Sequence, residues 1–548
     1  MIGDDTRPLP VAGPILAGAL VVAALLALPG QTVTTSYPND LFIFLDSAHR
    51  LVWGQVPNRD FHTALGPLTH YIPAAGYWIS GSLGAAMPLG MALTTLALAP
   101  ALAHILASRL HPLIALLFGA FLLLILAVPM NLGEAITSLS FAMFYNRIGW
   151  VALGALLVMY LLPRQVRPYQ ERLDALCATL LTVAMVYTKV TYGLVALAFL
   201  VFMLFDARQR RWAAWAIGLT ILTALAVEIL WKASLAHFAD LVLAGQVSGT
   251  RGAVGLVLGF LRHLADYVMF GIVAVLALWR TRRFRDFLFF GFCAGPGLLI
   301  QAQNSQPWGI ITLHAGAVVA AEILVRTQYA RTASGGGSLS LASGSVFLLF
   351  ALLLPTTVHY LMALGLHTTL AVTRSGQPFG LPGLEQVRLA RLWTPGDYAF
   401  TSAYLESIRK GGETLAELPT RPRQVSVLDF ANPFSAGLNL PPPRGDNAWL
   451  HWGRNINTEH HLPPDQLFKD VEILMEPKWG VNPGPLRSLY GTYIESTFEP
   501  VRETDAWIVW HRRDSRAGEM AESRTSSGSC PAEQASASRV GAGDGCPQ

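Results

Sequence analysis

Long apolar runs broken by short polar stretches fill the first two thirds of this chain. Val11–Leu28, Leu113–Val128, Ala213–Leu230 and Val346–Leu366 carry few charges, and each is near the ~20 residues that cross a ~30 Å hydrocarbon core as a helix. The same reading predicts eleven spans, at roughly 10–29, 84–107, 112–129, 147–163, 174–188, 190–205, 213–232, 263–280, 287–301, 309–325 and 344–366. The spans at 174–188 and 190–205 are short, and paired short helices line cavities rather than face lipid. Gly66–Leu83 is apolar enough to be a twelfth span, but its His70, Tyr71, Pro73, Tyr77 and Trp78 suit the headgroup level. It is read as a helix in the outer interface.

From about residue 367 the pattern changes. Charges multiply, Pro441, Pro442 and Pro443 follow one another, and no 18-residue apolar run remains. Val425–Phe430, Asp470–Met475 and Trp507–Trp510 predict strands, and 397–409 and 464–469 predict helices. The expected organisation is a transmembrane domain over 1–366 with a first outer loop over 30–83, an α/β domain outside the membrane over 367–515, and a disordered Ser/Ala/Gly-rich tail over 516–548. The fold class is therefore a polytopic α-helical membrane protein of about eleven transmembrane helices with a small C-terminal α/β extracytoplasmic domain.

Composition supports this. Hydrophobic residues make up 52% of the 548 and charged residues only 14%, with a mean hydropathy of +0.42; soluble domains carry about 25% charged residues. The basic residues cluster in the short breaks: Arg109, then Arg164, Arg167 and Arg172, then Arg208, Arg210 and Arg211, then Arg280, Arg282, Arg283 and Arg285, then Arg326 and Arg331. Such clusters mark cytoplasmic loops. They put the N-terminus inside and the C-terminal domain outside, and a net charge of +4 spread this way excludes a nucleic-acid stripe. Asp4 and Asp5 beside Arg7, with no small-x-small cleavage site after the first run, mark it as a retained helix and not a signal peptide. Cys177, Cys293, Cys530 and Cys546 show no metal spacing.

The candidate chemistry sits in the first outer loop, Tyr37 to Phe61. Leu41, Phe44 (or Leu45), Ala48 and Leu51 recur at the spacing of an amphipathic helix. Asn39 or Asp40 stands where an N-cap belongs, and Gly54 and Pro57 end the helix. Asp46 lies four residues before Arg50, the spacing of a helix-face ion pair.

Asp40, the helix with Ala48 and Arg50, Gly54 fourteen residues after the Asp, Pro57, Arg59-Asp60-Phe61 and Gly66-Pro67 together resemble the first outer loop of GT-C class membrane glycosyltransferases. The similarity is to the branch of protein O-mannosyltransferases and aminoarabinose transferases. Tyr187-Thr188-Lys189 followed by Tyr192-Gly193 is similar to that family's Lys-Gly step at the outer end of a middle helix. The resemblance implies a catalytic carboxylate at Asp40. It implies a glycosyl donor on a polyprenyl phosphate and an envelope acceptor (lipid, polysaccharide or protein) on the outer side of a bacterial inner membrane. Two positions depart from the family: Leu41 follows Asp40 where many members have Glu, and Asn146 stands where many have a second Asp. Glu134 lies in that same outer loop as a substitute acid. With one acid fewer, a divalent cation is left open and no metal ligands are assigned.

A carboxylate can serve such a transfer as general base, and cations near the departing phosphate stabilise its charge. Asp60 is the second candidate acid. Lys189, one of five lysines, Arg147 and Arg59 are the candidate phosphate-binding cations, and His62, His70, Glu134 and Asn146 the candidate substrate contacts. Each also has a plain structural reading. Asp40 caps its helix; Lys189 snorkels from a helix end; Arg147 anchors to headgroups; Asp60 pairs with Arg59; the histidines are surface residues. Gln301, Gln303, Asn304 and Gln306 either bind sugar or form a turn. The alternatives to an enzyme are a lipid-linked-sugar transporter, against which the lack of internal repeats counts, and a non-catalytic assembly or receptor protein.

Overall fold

The computed structural model describes residues 11–249, 252–303, 309–333, 340–393 and 397–513. The chain begins with α1 (Ala12–Ala27), β1 (Thr32–Thr34), α2 (Pro38–Val52) and α3 (Pro67–Ser80). A run of helices follows: α4 (Leu83–Arg109), α5 (Pro112–Ala127), α6 (Phe144–Val158), α7 (Gln170–Thr188), α8 (Val190–Leu204) and α9 (Arg210–Trp231). It continues with α10 (Ser234–Ser248), α11 (Ala253–Arg262), α12 (Leu264–Thr281), α13 (Phe284–Ala302), α14 (Ile311–Ala333) and α15 (Ser340–Val372). The remainder holds β2 (Gln377–Pro378), β3 (Val387–Leu389), α16 (Tyr398–Ala416), β4 (Val425–Val427), α17 (Phe434–Gly437), α18 (Pro464–Leu467), β5 (Ile473–Pro477), α19 (Pro483–Thr497), β6 (Phe498–Glu503) and β7 (Trp507–Arg512).

Each of the eleven stretches predicted to span is helical. Among the described residues α4, α9, α12 and α15 are long and apolar enough to cross a membrane, with a fifth if α10 and α11 count as one span; α1, α5, α6 and α8 are apolar but shorter. Phe205, Leu230 and Leu235 are each more than four-fifths exposed, and large apolar side chains stand outward along α8, α9, α10 and α12. Water does not tolerate so wide an apolar surface, and lipid does.

Side-chain contacts sort the helix ends into two sets. At one end Arg109 pairs with Asp174 at 2.7 Å, Arg164 and Arg326 share Glu322 at 2.7 and 2.8 Å, and Arg285 meets Asp206 at 2.6 Å. Gln209 donates to the Tyr160 carbonyl there. The arginine clusters spaced along the sequence thus gather at one end of an alternating bundle. The other end gathers the first outer loop, the 129–142 loop and the chain after α15. Thr35 N donates to Leu139 O, Gly66 N to Thr188 O, and Trp231 Nε1 to Pro57 O. β1 pairs in parallel with β3, which pairs antiparallel with β2. A second sheet, in the order β4-β5-β7-β6, buries Ile473, Met475, Trp507 and Val509, and Trp507 donates to the Ser407 carbonyl of α16.

The structure departs from the sequence reading in three places. The cap of α2 is neither Asn39 nor Asp40 but Tyr37, in the left-handed region and without a side-chain cap bond; Asp40 is the third helical residue. Pro38 explains this, since it fits the first helical position, where no N–H is needed. Two helices, α10 and α11, fill the stretch between the seventh and eighth predicted spans, because an apolar helix of 15 residues does not reach span length. Strand β1 has only three residues, too few for an alternating pattern. Asp4, Asp5, Arg7, Asn304, Gln306, Cys530 and Cys546 lie outside the described residues. Cys177 and Cys293 are free thiols.

One buried cluster fastens α2 to the chain beyond α15. Arg50, 1% exposed, donates from Nε to Asp46 at 2.6 Å and, bidentately, to Asp446 at 2.8 and 2.7 Å. Nη1 also donates to Pro443 O, and Gln55 donates to Pro442 O and Pro443 O. A proline run has no N–H groups of its own to answer these carbonyls, so α2 supplies the donors. The Asp46–Arg50 pair expected on a helix face is therefore buried and three-membered. Burial pushes both carboxyls up, against the pull of the guanidinium. Removing one member of a buried pair typically costs about 3–5 kcal/mol. Arg50→Met is expected to lower the thermal midpoint in detergent sharply. Arg409→Met, which breaks exposed pairs to Glu406 and Glu413, is expected to leave it unchanged. Equal midpoints for both variants would refute the role given to Arg50.

Candidate functional site

Helices α2 and α6 start alike. Tyr37 (φ 56°) and Met143 (φ 54°) turn the chain through the left-handed region, a conformation costing non-glycine residues of order 1–3 kcal/mol. Each is followed two residues into the helix by a polar group at the third position, Asp40 in α2 and Asn146 in α6. Neither helix start is capped by the side chain of its N-cap residue. The ring of Phe44 locks the two helices together, 4.9 Å from Phe144 and 6.3 Å from Tyr145.

A third helix start joins them. Lys189 has extended backbone (φ −156°, ψ 113°) and serves both as the C-cap of α7 and the N-cap of α8. Its Nζ donates to Asn146 Oδ1 at 3.2 Å and lies 5.5 Å from the centre of the Tyr145 ring. Two glycines permit this approach. A Cβ on Gly66 would collide with the Tyr187 carbonyl, and one on Gly149 with the Tyr192 ring. Gly66 N and Thr69 Oγ1 both donate to Thr188 O, tying the first outer loop to the break.

Arg454 completes the group from the chain beyond α15. It stands within electrostatic range of Asp40, Tyr145 and Lys189. Among the described residues its side chain makes no hydrogen bond and no ion pair. Asp40 is partly buried. Loss of water pushes its carboxyl up to about 6, and Arg454 pulls it back down. The result is one carboxylate, two cations and three helix N-termini, each N-terminus worth about half a positive charge. Such a site favours an anion, with a base beside it.

The other predicted residues divide. Glu134 accepts from Tyr37 OH at 2.8 Å, and Tyr37 is itself within electrostatic range of Asp40, so Glu134 borders the group. Asp60 is engaged elsewhere: it accepts from Val56 N at 2.7 Å and pairs with Arg444 at 3.0 Å and Arg59 at 3.5 Å. Arg59 is about half exposed. His62 donates from Nδ1 to Asp240 at 2.7 Å and accepts from Gln466. His70, which burial pushes down to about 3, bonds Ser47 and Thr63 between α2 and α3. It is a buried tie and not the surface histidine of its plain reading. Arg147 turns to the end of α5, where Nη1 donates to Val128 O and Met130 O. Gln301 is buried near the end of α13. Among the described residues no group of three or more His, Cys, Asp or Glu side chains is placed to hold a metal ion.

Arg454 and Tyr37 escape the sequence reading. Tyr37 sits beside Asp40 but signals nothing by type. The only sign of Arg454 is the density of Trp, His, Asn and Arg over 449–461.

The molecule so described is a helical protein with several apolar helices and an anion-favouring site where one end of the bundle meets the chain beyond α15. No family model and no curated protein matches it. Among solved structures it is similar to ArnT from Cupriavidus metallidurans bound to undecaprenyl phosphate, with 15% identity and a TM-score of 0.47 over 90% of this chain and 97% of that one. It is also similar to the apo state of ArnT from the same organism, with 13% identity and a TM-score of 0.46 over 91% of this chain and 97% of that one. At these scores the likeness bears no weight on activity.

The tight approach of Gly66 to α7 is testable. Gly66→Ala is expected to destabilise by about 1–3 kcal/mol, as overpacking does. Gly13→Ala, where a Cβ meets nothing within 4 Å, is expected to leave stability level or slightly raised. Thermal midpoints of the two purified variants make the comparison.

Proposed function

We propose that this protein is an inner-membrane glycosyltransferase that moves a sugar from a polyprenyl phosphate to an envelope acceptor on the outer side. In this reading the eleven helices span the membrane with the arginine end in the cytoplasm and the residues beyond α15 outside. The observation that carries it is that Asp40 and Lys189 both lie near Tyr145 and Arg454, with three helix N-termini, at the end of the bundle opposite the arginine clusters.

The chemistry follows from the arrangement. An acceptor hydroxyl or amine gives its proton to the Asp40 carboxylate as its lone pair attacks the anomeric carbon. The bond from that carbon to the donor phosphate breaks, and the electron pair leaves with the phosphate. Lys189, Arg454 and the N–H groups at the starts of α6 and α8 offset the charge that develops there. Attack opposite the leaving group inverts the anomeric centre. A donor with a polyprenyl tail accounts for a site at the rim of an apolar bundle. Asn146 holds Lys189 by accepting from it, a task an acid at this place would do with charge. Its neutrality favours a second reading, a family member that binds a lipid-linked sugar without transferring it.

Asp40→Asn is expected to lower release of sugar from a polyprenyl-phosphate sugar at least 10²-fold, the typical contribution of a general base, while donor binding persists. Wild type that binds donor yet shows no turnover with any acceptor supports the binding-protein reading. Equal turnover by wild type and Asp40→Asn refutes the mechanism.

The pH profile gives an independent test. With a carboxyl near 6, the base is ionised above that pH, so kcat/KM is expected to fall as the pH drops through about 6. Arg454 holds the carboxyl down, so Arg454→Gln is expected to move this limb to higher pH. A limb unmoved in Arg454→Gln argues against Asp40 as the titrating base.

A further inference from the structure

Arg147 was expected beside the donor phosphate, yet the structure surrounds it with a different set of groups. It is 1% exposed and has no ion pair among the described residues. One nitrogen, Nη1, serves the Val128 and Met130 carbonyls, while Nε and Nη2 have no hydrogen-bond partner. Tyr360 of α15 is within electrostatic range of Arg147, 2% exposed, and its hydroxyl is unpartnered. His367, two turns further along α15, is fully buried against Phe141, with ring centres 5.7 Å apart, and neither of its ring nitrogens has a partner. Asn131, next to Met130, is buried with its Nδ2 unpartnered. Glu134, the carboxylate in electrostatic range of Tyr360, already accepts from Tyr37.

These groups share one property: nearly all are donors. A guanidinium with its Nε and Nη2 idle, a phenol, an amide and an imidazole face no acceptor, and a buried cation without a counter-charge is costly. Water can satisfy the hydrogen bonds but does not neutralise the charge. A phosphate does both, since its oxygens accept from several donors and match a guanidinium edge. We infer that Arg147, Tyr360 and His367, with Asn131, form a second anion site, distinct from the Lys189–Arg454 site, that takes the phosphate of a membrane lipid. The inference does not depend on sugar transfer.

The test is native mass spectrometry of the delipidated full chain in detergent, titrated separately with undecaprenyl phosphate and with phosphatidylglycerol. Arg147→Gln is expected to weaken binding of at least one probe about tenfold or more, the effect of losing charged hydrogen bonds. Tyr360→Phe and His367→Phe leave the Arg147 contacts to α5 intact and are each expected to weaken the same binding several-fold. They keep the test valid if Arg147→Gln fails to fold. Arg409→Met, which breaks only exposed pairs, is expected to keep this binding. Loss confined to undecaprenyl phosphate assigns a prenyl phosphate, loss confined to phosphatidylglycerol assigns a phospholipid, and loss of both assigns the phosphate alone. Unchanged affinity in Tyr360→Phe and His367→Phe overturns the site, as does an equal loss in Arg409→Met, which would mean a loss not specific to these groups.

Discussion

Much of this structure hangs on a single guanidinium. Arg50 lies in an amphipathic helix next to the first apolar helix, and its bidentate partner Asp446 is 396 residues away. A helix lying at a membrane surface has no fixed azimuth of its own; lipid holds its apolar face but lets it roll. Arg50, with Gln55 donating to the Pro442 and Pro443 carbonyls and His49 bonding the Leu440 carbonyl, removes that freedom. Asp40 sits on the same helix, ten residues earlier. Its position relative to Arg454 follows from this clamp, because the clamp joins the two stretches of chain that carry them. The burial of Arg50 is tolerable only because two carboxylates and a proline carbonyl receive its donors.

The group around Asp40 uses backbone as much as side chains. Lys189 and Arg454 are the visible cations, but the starts of α2, α6 and α8 add positive potential fixed by the fold. Left-handed turns at Tyr37 and Met143 bring two of these starts into line, and an extended residue makes the third. Such a site keeps its field when water is excluded, which is when a fixed field acts most strongly on a bound anion. Asp40 has a carboxyl pushed up to about 6 all the same, because removal from water outweighs the one nearby guanidinium.

The helical elements were readable because apolar runs near 20 residues leave few other options. The strands at β4, β5 and β7 were readable from short apolar clusters between turn residues. Asp40 and Lys189 stand out in the sequence, one by its place at the start of an amphipathic helix, the other as a lysine between two short apolar runs, and both lie near Tyr145 and Arg454. Arg454 was not readable, since its partners lie hundreds of residues earlier and nothing local marks it. Nor was the separation of Arg147 from Lys189. Asn146 and Arg147 are adjacent in sequence, but neighbours on a helix diverge by about 100°, so one faces Lys189 and the other α15. Asp60, His62 and His70 have side chains that suit chemistry, yet the fold uses them to hold a loop, a choice that only their distant partners Arg444, Asp240 and Ser47 reveal.

The distance along the chain between Arg50 and Asp446 also sets a clock. At synthesis rates of about 5–20 residues per second, the 396 residues that separate them take roughly 20–80 s to emerge. For that interval the first outer helix has its arginine and no clamp. Water, headgroups or a helper protein must solvate the guanidinium until the proline run arrives. The late chain must then dock onto a helix made long before, and a chain cut short before residue 446 lacks the partner that Arg50 needs.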